Sequence, residues 1–403
     1  MRRRAKNLIT TVLTTTIILF VGCVAVEKIS YKPSSEWIQK KQMIMGDHQK
    51  IIDDDFVITK SLEKRVSFWV DIYGHYSSDV KVIHDSSYPW IVYEVIDTKG
   101  MKSPNKFLSK RVKFYKHALK KLSQNKLSKD SLRLKELFDG HETYLKEAYK
   151  NIRYQTGQKN HMRAGIKRSM PYLDHMEEIF QAHNLPSELT RLPFVESSFN
   201  WKAHSKAGAR GIWQFMIGTG KKFMKINRYV DERASPLKST LAAAKLLKQN
   251  YRILKKEWPL AITAYNHGPS GVKKAARKVG TNDMGTIADN YSSKRFSFAS
   301  ANFYSSFLAA LYVEKYKDII FKDIDYKKTP RILVEKTKRR TRAKTLFKKT
   351  GLSKKDFISW NPDLKKALKK NYNIPRNFVY YKPLKNPGLA YNVSNEELTT
   401  DMD

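Results

Sequence analysis

Residues Arg191–Asn200 read RLPFVESSFN, a stretch that sets one carboxylate among apolar neighbours. Leu185, Leu189, Leu192 and Glu196 follow at steps of four, three and four, the period of one helical face, so Glu196 stands where the pattern calls for a leucine. Two readings of that position stand. A carboxyl drawn out of water has its pKa raised toward the range where it donates a proton near neutrality, as a general acid must. Alternatively, the carboxylate sits at a helix end, reaching solvent or capping a turn.

Glycoside hydrolysis normally uses two carboxyl groups, yet the next acid after Glu196 is Asp231. The interval is neutral, aromatic and punctuated by glycine: KAGARGIWQFMIGTG. Gly208 and Gly211 permit close backbone approach, and Gln214 offers a donor and an acceptor beside Trp213 and Phe215. Aromatic faces with amides suit a sugar ring, and aromatic residues beside a helix equally serve as core. Further on, LAITAYNHGPSG puts Tyr265 and Asn266 at the end of a helix, just before Gly268, where polar side chains can face a cleft. VDERASP reads as a helix-start cluster, the alternative being that Asp231 and Glu232 hold a hydrolytic water; His267 reads as incidental. The chain has no HExxH, no phosphate loop and no dinucleotide fingerprint, so neither a metal nor a cofactor is expected.

ESSFN, GARGIWQFM and AYNHGPSG, in this order and at these spacings, resemble the successive motifs of the lytic murein transglycosylases with a goose-lysozyme-like fold, especially the membrane-bound D type. The resemblance covers about residues 150–320. It implies a lysozyme-like helical domain with Glu196 as the single catalytic acid/base, Ser197 as its motif partner, and Gln214, Met216, Tyr265 and Asn266 holding substrate. The family's fourth motif has a tyrosine, and NFYSSFLAA offers two candidates: register favours Phe303, which lacks the hydroxyl, while Tyr304 supplies one a position late. The implied substrate is the glycan strand of peptidoglycan. The C6 hydroxyl of the muramic sugar would itself displace the leaving group, which makes a second carboxylate unnecessary. A lysozyme-type hydrolase and a non-catalytic peptidoglycan-binding protein are the alternatives.

The totals fit an exported protein. Lys+Arg 77 against Asp+Glu 38 leaves +39, which calls for an anionic partner: nucleic acid, acidic lipid or a carboxylate-bearing wall polymer. MRRRAKNLITTVLTTTIILFVGC has the basic start and apolar run of an export signal, which argues against nucleic acid. The chain's one cysteine, Cys23, closes that segment, as in the bacterial lipoprotein signal it resembles. Lipidation at Cys23, cleavage near Ala25 and retention of the run from Leu8 to Val26 as an anchor are three outcomes open to residues 1–25. The expected location is the periplasmic side of a Gram-negative-type envelope, at the membrane.

The expected fold is mainly α. Residues 26–150 form an α/β extension, with β-rich runs FWVDIYG and WIVYEVID followed by basic helical sequence from Asn105 to about Gln158. The catalytic domain spans 151–325. A βααβ unit at 326–385 comprises RILVEK, a helix closed by Gly351, a second helix capped by Ser353 and stopped at Pro362, and NFVYYKP. This unit resembles a LysM module without its opening glycine and aspartate; a basic helical cap is the alternative. Residues 386–403 form an acidic tail.

Overall fold

FASANFYSSFLAALYVEK is mostly apolar or small around its whole circumference, the pattern of a helix surrounded by protein. In the computed structural model, which describes residues 33–46, 54–126, 129–326 and 329–384, it is the Phe298–Lys315 helix, buried from Asn302 through Glu314. Against it pack the helices Glu63–Val70, Leu192–Ser197 and Trp258–His267. The helices Pro236–Ile253 and Pro269–Val279 flank Trp258–His267 in turn. Pro236, Pro259 and Pro269 each stand in a first turn, where a missing N–H costs nothing. Gly268, at φ +85°, lets the chain leave one helix and enter the next within a single residue. The mainly α class read from the sequence is the one the chain adopts.

Two expectations for the N-terminal part are corrected. FWVDIYG is not a strand: it belongs to the Glu63–Val70 helix and the π-helical turn Asp71–His75 that continues it. Its aromatic and β-branched residues favour a strand locally, but Val66, Phe68, Trp69 and Val70 gain more by burial against the Phe298–Lys315 helix. Conversely, Ile152–Thr156, inside the stretch read as basic helix, is a strand. It pairs antiparallel with Val80–Asp85, which lies between it and Val92–Asp97 in a three-stranded sheet. The Pro104–Ser123 helix is present as expected; its stripe Leu108, Tyr115, Leu119 and Leu122 packs with Ile83, Ile91 and Ile96 of this sheet region.

The extension is pinned to the central helix by buried polar bonds. Arg65, wholly inaccessible, donates from Nη1 to Asn302 Oδ1 (3.0 Å) and from Nη2 to Asp289 Oδ1 (2.6 Å). Trp69 Nε1 donates to the same Asn302 oxygen (3.2 Å). A buried guanidinium without partners would be strongly destabilising, so this register is enforced.

At the C-terminal end, Ile332–Lys336 pairs antiparallel with Val379–Pro383. Between them lie the helix Ala343–Thr350, ended by Gly351 at φ +64°, and the helix Lys354–Trp360, where Ser353 Oγ accepts from the Asp356 N–H (3.1 Å). A third helix, Lys365–Lys370, was not expected; it follows a 3₁₀ turn at Pro362–Leu364. Lys238 Nζ, from the main helical body, donates to the buried Asp363 Oδ2 (2.7 Å). Among the described residues no helix is long and apolar enough to cross a membrane. The export segment with Cys23 and the acidic tail lie outside the described residues.

Candidate active site

The stripe that ends in Glu196 runs across a junction, not one continuous helix. Ser187–Arg191 is a 3₁₀ turn, and the α-helix proper is Leu192–Ser197. Leu185, Leu189 and Leu192 are buried as the pattern requires. Ser198 and Phe199 then take left-handed backbone, at φ +50° and +55°, which ends the helix and turns Phe199 inward onto Phe194 with ring centroids 4.6 Å apart. Glu196, in the last turn, faces a cavity of about 690 Å³.

Segments far apart in sequence build that cavity. Trp69 and Tyr73 come from the N-terminal extension, Arg153 from the third sheet strand to appear in the chain, and Asn266 and Phe303 from the helices Trp258–His267 and Phe298–Lys315. Glu196 is the one carboxylate among the lining residues. Burial alone pushes its pKa up to about 8, so it holds its proton at neutral pH. Its carboxyl has no hydrogen-bond or ion-pair partner among the described residues and caps no turn.

Ser197 ties the acid to the glycine-rich loop: its Oγ donates to the Ile212 carbonyl (2.8 Å). That loop wraps around buried Arg233, whose Nη1 donates to the carbonyls of Gly208 (2.9 Å) and Phe215 (3.0 Å). Gly211, at φ +78°, lies so close to Arg233 that a Cβ there would sit 1.8 Å from the Arg233 carbonyl oxygen. Trp213 is core: it stacks on Phe180, with centroids 5.9 Å apart, and donates to Thr240 Oγ1 (2.9 Å). Gln214 bonds back to its own loop through Nε2 to the Gly211 carbonyl (2.8 Å), and Met216 is exposed; neither lines the cavity.

Tyr265 donates its hydroxyl to the Trp213 carbonyl (2.8 Å). Burial, and the nearby Glu196, hold that phenol protonated far above its usual range. Asn266 lines the cavity, with Oδ1 accepting from Ser300 Oγ (3.0 Å). Of the two fourth-motif candidates, Phe303 lines the cavity, whereas Tyr304 is buried elsewhere against Phe307. A phenol nevertheless reaches the cavity: that of Tyr73, beside Ser306 and within electrostatic reach of Glu196. No local pattern marked Tyr73, because its place depends on packing between the extension and a helix more than two hundred residues later.

Asp231 is engaged elsewhere. It caps the 3₁₀ turn Glu232–Ala234 and pairs with Arg210 (3.1 Å) and Arg233 (2.8 Å). Burial raises its pKa, but hydrogen bonding and charge pairing with Arg233 and Arg210 outweigh that and hold it below the usual carboxylate range. His267 lies in a neighbouring pocket, with Nδ1 3.1 Å from Ser300 Oγ. Among the described residues no group of three or more His, Cys, Asp or Glu side chains is placed to hold a metal ion.

Residues 177–287, which include Glu196, the 208–216 loop, Tyr265 and Asn266, match the family model described as Transglycosylase SLT domain. Over 120 residues the chain is 34% identical to the Escherichia coli (strain K12) protein named membrane-bound lytic murein transglycosylase D, covering 30% of this chain and 26% of that protein. Over 113 residues it is 33% identical to the putative tributyltin chloride resistance protein of Alteromonas sp. (strain M-1), covering 28% of this chain and 55% of that one. The chain thus spans about a quarter and about half of these relatives. A solved structure of an inactive mutant of the lytic transglycosylase Slt from Pseudomonas aeruginosa aligns with 50% of this chain and 30% of its own at 16% identity, with a TM-score of 0.27.

Proposed function

We propose that this protein is a lytic transglycosylase of peptidoglycan. It cleaves the bond from N-acetylmuramic acid to N-acetylglucosamine and leaves a 1,6-anhydro-muramic end, with Glu196 as the single acid and base. The observation that carries this reading is a lone carboxyl, protonated at neutral pH by burial, in a cavity lined by no second acid. Most inverting and retaining hydrolases use a second carboxylate within reach to activate water or attack the sugar. Asp231, the acid nearest in sequence after Glu196, is held by two arginines outside the cavity.

In the proposed reaction, protonated Glu196 gives its proton to the glycosidic oxygen as the C1–O bond breaks. The resulting carboxylate then takes the proton of the C6 hydroxyl, and O6 closes on C1. The departing N-acetylglucosamine keeps the first proton as a hydroxyl, the O6–C1 bond replaces the one broken, and Glu196 ends protonated as it began. Intramolecular attack draws on proximity, about 7–11 kcal/mol in well-oriented cases, and needs water kept out. Glu196 is half-buried in a cavity that Phe194 and Phe303 also line, which serves that exclusion. The SLT match and the murein transglycosylase relative support the substrate class.

On this reading the enzyme is exported to the periplasmic side of the envelope and held at the membrane by residues 1–25. Its basic body faces the carboxylates of the wall, and the 326–385 unit is a wall-binding module. The test is mass spectrometry of purified peptidoglycan digested by the unsubstituted protein and by Glu196→Gln. Anhydro ends, one water lighter than reducing ends and absent with the variant, are expected. Reducing ends would make the protein a hydrolase, and release by Glu196→Gln would end the proposal.

A further inference from the structure

Arg153 is a cation without a counter-charge in the same cavity. Its guanidinium lies over the Phe298 ring, 3.6 Å from the centroid, and lines the cavity with Glu196. It is half-buried and has no hydrogen bond or ion pair to any described residue. The more deeply buried guanidiniums differ: Arg65 pairs with Asp289, Arg191 with Glu314 and Arg233 with Asp231. Buried His84, held neutral by burial and by the nearby Arg153 charge, supplies no anion.

A partly desolvated guanidinium that faces a cavity unpaired is costly unless a ligand brings the missing charge. Stacking on a ring fixes the plane of the fork, which suits bidentate binding of a carboxylate. Glu196 does not oppose such a ligand, since its carboxyl is neutral at pH 7. Of the two sugars of peptidoglycan, N-acetylglucosamine carries no acid, whereas muramic acid carries a lactyl carboxyl, either free or joined to a peptide stem with carboxylates of its own.

Building on the proposed function, we propose that Arg153 is a carboxylate-recognition site in the catalytic cleft, selecting glycan whose muramic sugar presents an anionic group. The lactyl carboxylate and the stem carboxylates share this chemistry, and a binding experiment separates them. The full chain carrying Glu196→Gln, which binds without cutting, is titrated calorimetrically with three muramic-acid-containing oligomers: peptide-free with free lactyl carboxylates, the same with every lactyl group converted to its methylamide, and stem-bearing.

At least one anionic oligomer is expected to bind about tenfold or more tighter than the methylamide, the scale of a charge-assisted hydrogen bond. Whichever is preferred names the source of the carboxylate. Adding Arg153→Met should erase the preference; Arg153→Gln, closer in shape and equally uncharged, serves if the methionine variant does not fold. Equal binding of all three oligomers, or a preference that survives both substitutions, overturns the inference while leaving the proposed function standing. If no oligomer binds and the unsubstituted protein cuts none of them, the proposed function fails, and this inference with it.

Discussion

Replacing Glu196 by glutamine should make the protein more stable, by an amount that depends on pH in a calculable way. Below about pH 4.5 the carboxyl is protonated in both folded and unfolded chains and contributes no pH dependence. Between 4.5 and about 8 the unfolded chain has lost the proton and the native protein still holds it. The native state then binds more protons, so stability falls as pH rises through this window and levels off above it. At about 1.4 kcal/mol per pH unit, the deficit reaches about 3 kcal/mol at pH 7. Glutamine has nearly the same shape and cannot ionise, so it escapes the deficit. Other titrating groups are common to both proteins and cancel in the comparison. Urea unfolding of both at pH 5, 6, 7 and 8 should therefore show the stability difference widening by about 2–3 kcal/mol between pH 5 and pH 7. A difference that stays flat would mean that the carboxyl is solvated and ordinary, and the acid proposed for catalysis would go with it. The same pKa predicts that kcat/KM of the unsubstituted protein falls above about pH 8, where the proton donor is lost.

Further outcomes follow from the same geometry. Gly211→Ala, whose new methyl would meet the Arg233 carbonyl, should cost several kcal/mol in chemical denaturation. Gly208→Ala, with open space around it at φ +91°, should cost only about 1–2 kcal/mol; equal losses would contradict the close approach at Gly211. Tyr73→Phe, which gives up the hydrogen bond of the phenol with Ser306, should cost about 0.5–1.5 kcal/mol in stability and lower turnover by about fivefold to tenfold, and unaltered turnover would remove that phenol from the reaction. Asp231→Asn should lower stability by about 1–3 kcal/mol yet leave the anhydro product unchanged, as mass spectrometry would report. With +39 overall, retention on peptidoglycan in pull-downs should weaken steeply between low and high salt, and salt-independent retention would rule out an electrostatic hold.

What could be read from the sequence was what local chemistry decides. The acid on an apolar stripe, the left-handed stop at Gly351 and the Ser353 cap all act within a few residues of themselves. The reading failed where a distant partner decides. FWVDIYG has strand-forming residues and became helical because the Phe298–Lys315 helix needed covering. Ile152–Thr156 is a strand because Val80–Asp85 offered an edge, although its surroundings are lysine-rich helix. Trp69, Tyr73 and Arg153 were invisible as cavity residues for the same reason. Gln214 and Met216, for which the motif resemblance implies a substrate role, belong to a loop folded around Arg233 and are not among the residues that line the cavity.

The single amide oxygen of Asn302, shared by Arg65 and Trp69, has a consequence for anyone trimming this chain. A cassette excised around residues 177–287 would carry the acid and its loop but would leave behind Trp69, Tyr73, Arg153 and Phe303, which line the cavity with Glu196. The matched block and the cavity have different borders, and a fragment that keeps the whole cavity lining must reach back at least to the helix that begins at Glu63.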